Sequence, residues 1–333
     1  MKVISQYEVN ELHAGPKAKV DVENILKNKY NASIRTIKIK NNIHKRKNLF
    51  CFRIKKMFFL IRNRYINDIV VYQLPYNKSC KLNINAKHSI GLIHDINGLR
   101  DMNEELVKKE IELYQKFDVI ISHNSIMTEF LINKGVKTPI INLEIFDYLV
   151  ANNTKEKNIK HTNTKKVAFA GNFNKALFLS ELEEEKMNFD INLYGVGKYN
   201  ENNKKYHYFG SFLPDELPLS MTGDLGLVWD GGIDNSNINN NFLNYTKYNN
   251  PHKLSCYIAA GLPVIVWKEA ACAKFVEDNN IGYTISNIYD INNIDLSDYQ
   301  EKLKNVKKIK KKLTSGYYTI TAVEKALEII NKK

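Results

Sequence analysis

Along this chain, short apolar runs alternate with amphipathic stretches. "KVISQY" (2–7) reads as a first strand, and Lys17–Lys29 as a helix with Val20, Ile25 and Leu26 on one side. "SIRTIKIK" (33–40) alternates as a strand does. "DIVVYQLP" (Asp68–Pro75) and "SIGLIHD" (Ser89–Asp95) are continuous apolar runs that stop at proline or at polar residues, and the segment between them is expected to supply a crossover. Glu104–Phe117, with Leu106, Ile111 and Leu113 among charges, predicts a helix. Asp118–Asn124 predicts a buried strand, Ser125–Lys134 a helix and "TPIINL" (138–143) one more strand. Strands alternating with helices of this length predict parallel sheets joined by crossovers.

The pattern breaks over "ANNTKEKNIKHTNTK" (151–165), which has no hydrophobic period and reads as a linker. It restarts with "KVAFAGNF" (166–173), "DINLYGVG" (190–197), "HYFGSFLPDELPLSM" (207–221), "DLGLVWDGG" (224–232) and "NNPHKLSCYIAAGLPVIVWKEAACAKFVEDNNIG" (249–282). The fold class expected is therefore α/β, with two Rossmann-like, doubly wound domains. The first spans 1–150 and the second 166–314. A C-terminal helix over 315–333 could pack on either half, the N-terminal domain included. The Asn-rich tract 233–250 is low in complexity and reads as a loop.

Composition changes this picture little. With 333 residues, 44% of them hydrophobic and 26% charged, the chain has the make-up of a soluble globular protein larger than one usual core. No apolar run approaches the length of a membrane-spanning helix, and "MKVISQYEVNELHAG" lacks the apolar core of a signal peptide, so a cytoplasmic location is expected. The four cysteines (Cys51, Cys80, Cys256, Cys272) form no C-x-x-C pair and read as buried thiols. The formal charge of +13 gathers at Lys38–Lys47, at Arg53–Lys56 and at Lys304–Lys312. A phosphate-bearing substrate or an anionic membrane surface suits it, as does a plain solvated surface. Nucleic acid is disfavoured, because aromatic residues are not interleaved with the basic ones.

Ligands of doubly wound sheets bind beyond the carboxyl ends of the strands, so polar residues that follow each apolar run are the candidates. His94 and Asp95 close "LIHD", where either could take a proton from a hydroxyl; in the bland alternative Asp95 caps the next turn and His94 packs. His123 and Asn124 hold the same position after the next strand, with a helix cap as the favoured reading. "AGNFNK" places Gly171 and Asn172 in a turn ahead of a helix with Lys175 in its first turn, which suits an anion as well as an ordinary turn. Pro251 suits a helix start, so His252 and Lys253 would stand where backbone amides lack partners, and Gly261 would end that helix. Glu269 and Glu277 have the E-x7-E spacing of many retaining glycosyltransferases, a spacing that surface helices also produce by chance. Neither G-x-G-x-x-G nor a P-loop is present, and no D-x-D occurs.

In order along the chain, "AFAGNF", "LGLVWDGG", "HKLSCYIAAGLPVIV" and "NNIG" resemble a group of two-domain bacterial glycosyltransferases. That group includes the glucosyltransferase that extends the glycan of streptococcal serine-rich-repeat adhesins and the β-1,6-galactofuranosyltransferases of cell-surface polysaccharide assembly. "NELHAGPKAKVDVENIL", "GLIHDINGLR", "FDVIISHNSIMTEFL" and "VKTPIINLEIFDYL" look most like the galactofuranosyltransferase branch. The resemblance implies a GT-B fold, its two domains facing each other across a cleft, and a UDP-sugar donor held mainly by the C-terminal domain. It implies donor contacts at Lys175, at Ser211, Phe212 and Leu213, and at Lys253, Leu254, Ser255, Cys256 and Tyr257, with His13, Ala14 and Gly15 approaching the diphosphate. Asp95 is then the expected general base and His94 its alternate, and no cofactor or metal is called for. The acceptor would be a saccharide, lipid-linked or on a glycoprotein. Self-association and peripheral contact with the inner membrane face are further expectations. Other readings are a glucosyltransferase or other hexosyltransferase acting on an adhesin glycan, a non-catalytic glycosyltransferase-like partner subunit and, more remotely, an RNA-binding protein.

Overall fold

A computed structural model of the chain describes residues 1–9, 15–40, 66–76, 84–151, 165–234 and 241–332. Most of the predicted linker, most of the segment joining "DIVVYQLP" to "SIGLIHD", the basic segment 41–65 with Cys51, and Cys80 lie outside the described residues. By contact the chain divides into two compact units, Met1–Leu143 with Gly316–Lys333, and Glu144–Ser315.

In the first unit, β1 (Lys2–Val9), β2 (Ser33–Lys40), β3 (Ile66–Leu74), β4 (Ala86–Ile93), β5 (Val119–Ser122) and β6 (Ile140–Asn142) form one sheet in the order β2-β1-β3-β4-β5-β6. All of its pairings are parallel. The helices are α1 (Lys17–Tyr30), the single turn α2 (Asn97–Arg100), α3 (Glu104–Tyr114) and α4 (Ser125–Asn133). Helices over a parallel sheet bury it on both faces, which is why β5 and the C-terminal halves of β3 and β4 are buried without alternation. Val70, Tyr72, Leu74, Ile93, Ile111 and Phe117 belong to the core so formed.

The buried stripe of α3 keeps the predicted Ile111 and adds Val107, Glu110 and Tyr114, in place of Leu106 and Leu113. Glu110 belongs inside because its carboxylate accepts the amides of Asn97 (2.9 Å) and Gly98 (2.8 Å) and caps α2. Gly98 is required there: a Cβ would lie 2.3 Å from the Val107 nitrogen.

In the second unit, β7 (Lys165–Asn172), β8 (Phe189–Val196), β9 (Tyr206–Gly210), β10 (Leu225–Val228), β11 (Val264–Trp267) and β12 (Gly282–Ile285) form a parallel sheet in the order β12-β11-β10-β7-β8-β9. Its helices are α5 (Phe178–Glu181), α6 (Leu217–Ser220), α7 (Asn241–Thr246), α8 (His252–Ala260), α9 (Ala273–Asp278) and α10 (Tyr299–Leu313). Within the Asn-rich tract expected to be a loop, α7 is helical. Tyr245 is buried, and the Thr246 carbonyl accepts the Ala271 amide, so tertiary contacts override composition there.

The last helix, α11 (Tyr317–Asn331), contacts β5, β6 and α1 and so belongs to the first unit. It starts at Gly316 (φ +81°), where a Cβ would come within 2.8 Å of Ile25. Among the described residues no helix is long and apolar enough to cross a membrane.

Candidate active site

Each sheet has a point where strand order reverses, and there the loops leaving two neighbouring strands diverge and leave room for a ligand. In the second sheet that point lies between β7 and β10. β7 ends in Gly171 and Asn172, and β10 runs into Trp229 and Asp230. Lys253, in the first turn of α8, reaches this spot. Its Nζ donates to Asp230 Oδ1 (2.7 Å) and to the Trp229 carbonyl (2.9 Å) and lies 4.7 Å from the centre of the Phe169 ring. A Cβ at Gly171 would sit 3.0 Å from Lys253 Cε, so glycine at the strand end lets the lysine stem pass.

The loops around this cation are tied together. The Lys175 carbonyl accepts the Gly231 amide (2.9 Å), and the Gly231 carbonyl accepts the Phe178 amide (2.9 Å). Trp229 Nε1 donates to the Gly232 carbonyl (2.8 Å), Glu181 accepts the Ile233 amide (2.9 Å), and Asn172 Oδ1 accepts the Asn174 amide (3.0 Å). The turns after β7 and β10 thus form one braced rim that holds Gly171, Asn172, Lys175 and Lys253. A small pocket beside it is lined by Val228, Trp229, Asp230, Thr246, Pro251 and Trp267.

The remaining residues expected at the donor site lie as follows. Leu254, Ser255, Cys256 and Tyr257 point their side chains inward. Ser255 Oγ donates to the Phe146 carbonyl (2.6 Å), and Tyr257 Oη accepts the Ala170 amide (2.8 Å) while its ring fills the space over Gly226. Burial pushes the Tyr257 phenol well above its ordinary pKa. Tyr257 fastens α8 to the sheet and Ser255 ties it to the segment at Phe146, and the start of the helix, at Lys253, meets the rim. His252 stacks on Tyr148 (ring centres 4.8 Å apart), whose hydroxyl donates to the Pro214 carbonyl (2.6 Å). The Ser211–Leu213 loop therefore connects to α8 through Tyr148; Phe212 leans on Tyr194 and Leu213 is exposed. Gly15 is exposed, and His13 and Ala14 lie outside the described residues. Glu269 pairs with Lys247 (3.2 Å) and Glu277 accepts from Thr284 (3.1 Å), so the two acids serve separate local contacts.

In the first sheet the order reverses between β1 and β3. His94 and Asp95 follow β4, the strand next to β3. His94 Nε2 is 2.8 Å from Gln73 Oε1, and Asp95 Oδ2 is 3.3 Å from Arg100 Nη1. Gln73 is buried in β3, and beside it Lys19 of α1 donates from Nζ to the carbonyls of Gln6 (2.8 Å) and Pro75 (3.2 Å). Burial lowers the Lys19 pKa to about 8, against the opposing pull of Asp95 and Glu23. His123 is buried, 3.1 Å from the Ile93 carbonyl, and burial lowers its pKa to about 4, so it is a neutral core residue. Asn124 caps α4 through the Met127 amide (2.9 Å). Sequence reading missed Asp230, Gln73 and Lys19. The rule that flagged Asp95, a polar residue just past an apolar run, applies equally to Asp230.

Two parallel-sheet α/β units in one chain are the architecture of glycosyltransferases of the GT-B fold. More narrowly, the chain belongs to the glucosyltransferase 3-like family, whose N-terminal domain matches residues 1–145 and whose C-terminal domain matches residues 167–326. It is 29% identical to the β-1,6-galactofuranosyltransferase WbbI of Escherichia coli (strain K12), over 97% of this chain and 98% of that protein. Glucosyltransferase 3 of Streptococcus parasanguinis is 22% identical over 81% of this chain and 84% of its own. The crystal structure of Anabaena Alr3699/HepE in complex with UDP and glucose superimposes with a TM-score of 0.58 at 12% identity, over the full length of both chains.

Proposed function

We propose that this protein transfers a hexose, galactofuranose foremost, from a UDP-sugar to a saccharide hydroxyl. The observation that carries the reading is the placement of Lys253 Nζ at the reversal point of the second sheet, 2.7 Å from Asp230 and against Gly171. In the transfer, an acceptor oxygen attacks the anomeric carbon while the bond from that carbon to the diphosphate breaks. Negative charge grows on the leaving diphosphate, where Lys253, the amides at the start of α8 and Lys175 would meet it. Asp230 holds the ammonium in place until the diphosphate competes for it. His94 or Asp95 would take the acceptor proton.

Galactofuranose is preferred over glucose because the similarity to the galactofuranosyltransferase spans nearly the whole chain, whereas that to glucosyltransferase 3 is lower in both identity and coverage. Inversion at the anomeric carbon follows from a β-product formed by direct displacement. The acceptor is a growing glycan, lipid-linked or on a glycoprotein. A cytoplasmic location at the inner membrane face is supported by α10, which buries Tyr299, Val306, Ile309 and Leu313 and turns Lys304, Lys307, Lys308 and Lys311 outward. Self-association belongs to the same reading.

The deciding experiment incubates the full chain with UDP-galactofuranose, UDP-galactose and UDP-glucose, with saccharide acceptors and with or without EDTA, and detects product by mass spectrometry. Transfer from UDP-galactofuranose, insensitive to EDTA, is expected. Transfer from UDP-glucose alone would replace the sugar. UDP binding without turnover of any donor would point to a non-catalytic partner subunit.

A further inference from the structure

Gln73 is the penultimate residue of β3 and is fully buried, so both ends of its amide need partners inside the protein. Nε2 lies 3.0 Å from the Lys19 carbonyl oxygen, which can only accept, and 3.2 Å from Ser5 Oγ. The Ser5 hydroxyl in turn donates to the Glu23 carboxylate, which also accepts from Thr36 (2.8 Å). Every link runs in one direction, so the amide nitrogen must face α1 and the amide oxygen must face His94. That oxygen is 2.8 Å from His94 Nε2 and can only accept. His94 Nε2 therefore carries a hydrogen, and in the neutral ring the basic lone pair is on Nδ1.

We propose that Gln73 is a positioning residue that locks His94 in the Nε2–H tautomer, making His94 Nδ1, rather than Asp95, the atom that takes the acceptor proton. The inference rests on the glycosyl-transfer reading. Asp95 is already engaged by Arg100, which is itself braced on Asn97 Oδ1 (2.9 Å) and Asp101 (3.3 Å). A proton on Asp95 would discharge that ion pair. A proton on His94 would instead leave that ion pair intact. Among the described residues, the other charged or titratable groups packed around this corner are Lys19 and Glu23 of α1, Glu110 and Tyr114 of α3, and neutral His123 after β5. In the step itself, the Nδ1 lone pair takes the hydroxyl proton and the freed O–H pair bonds to the anomeric carbon. The carbon–oxygen bond to the diphosphate breaks with its electrons leaving on UDP, and the imidazolium later releases its proton to solvent.

The tautomer is read without any variant of Gln73, from two-bond proton–nitrogen correlations of the full chain labelled with 15N-histidine, the His94 signals being assigned with His94→Gln. The Nε2–H pattern near neutral pH is expected; an Nδ1–H pattern overturns the assignment. In kinetics, His94→Ala should lower kcat/KM by about a hundredfold or more and erase the acidic limb of its pH profile. Gln73→Leu should lower kcat by about tenfold with the donor KM kept. If Asp95→Asn erases the limb while His94→Ala keeps it, Asp95 is the base and the proposal fails. Should the wild type transfer no sugar at all, the base role falls with the glycosyl-transfer reading, while the tautomer is still decided by the spectrum.

Discussion

Replacing Lys253 by methionine keeps the length of the side chain and removes its charge. In the native protein Nζ serves Asp230 Oδ1 at 2.7 Å and the Trp229 carbonyl at 2.9 Å, and the Asp230 side chain is only 21% exposed. Methionine strands that carboxylate, and leaving a largely buried charged acceptor without its donor costs about 1–3 kcal/mol. In a domain of this size each kcal/mol lowers the melting temperature by roughly 2–4 °C. Adding Asp230→Asn discharges the stranded carboxylate, so the double variant should regain most of the lost stability. Turnover should behave differently. Losing one donor to a developing charge costs about 10²–10³ in kcat; because Lys175 and the amides of α8 remain, the expected loss is at least about tenfold, or 1.4 kcal/mol of barrier. Initial rates with a UDP-sugar, beside calorimetric melting of the single and double variants, separate the two effects. A double variant that regains rate together with stability would reduce Lys253 to a structural counter-ion of Asp230. A folded Lys253→Met enzyme with unchanged rates would refute the role outright.

Gly226→Ala drives a methyl to within 2.3 Å of Tyr257 Cγ in a filled core, so urea unfolding should show a loss of about 1–3 kcal/mol or more, and an unchanged midpoint would contradict the packing. Burial lowers the His123 pKa from 6.5 to about 4, so between those values the unfolded chain binds a proton that the folded chain refuses. Stability from this residue is therefore intact above about pH 6.5 and lost as the pH falls toward 4, by up to about 3 kcal/mol. His123→Gln should flatten that part of the pH dependence, and parallel curves for the two proteins would exclude the assignment. Reversing Lys304, Lys307, Lys308 and Lys311 to glutamate should cut co-sedimentation with phosphatidylserine vesicles by at least about tenfold, since each basic residue adds to attraction by an anionic surface. Equal binding by both proteins would remove α10 from the membrane account.

The strands ending in "LIHD" and "AGNF" were legible because each apolar run stops at a polar residue, and those stops fall at or beside the points where strand order reverses. What stayed hidden depends on contacts distant in sequence. Gln73 lies inside "DIVVYQLP" and reads as one polar position of a strand, because its partners Lys19 and His94 come from α1 and from the end of β4. Glu110 broke the expected face of α3 because a carboxylate on a buried stripe makes sense only once α2 is seen to need a cap. In "HKLSCY" the family resemblance implied donor contacts from Lys253 to Tyr257, whereas packing sends the side chains of Leu254, Ser255, Cys256 and Tyr257 inward and leaves Lys253 at the rim. Strand order itself is set by which edges pair, and nothing local in the sequence encodes it.

The central claim is that the rim around Lys253 holds the diphosphate of a UDP-sugar, and calorimetric titration of UDP into the wild-type chain and into Lys253→Met tests it most directly. Saturable binding by the wild type, weakened at least about tenfold in the variant, is the predicted result. A wild type that takes up no UDP, or a folded variant that binds it equally well, would contradict it.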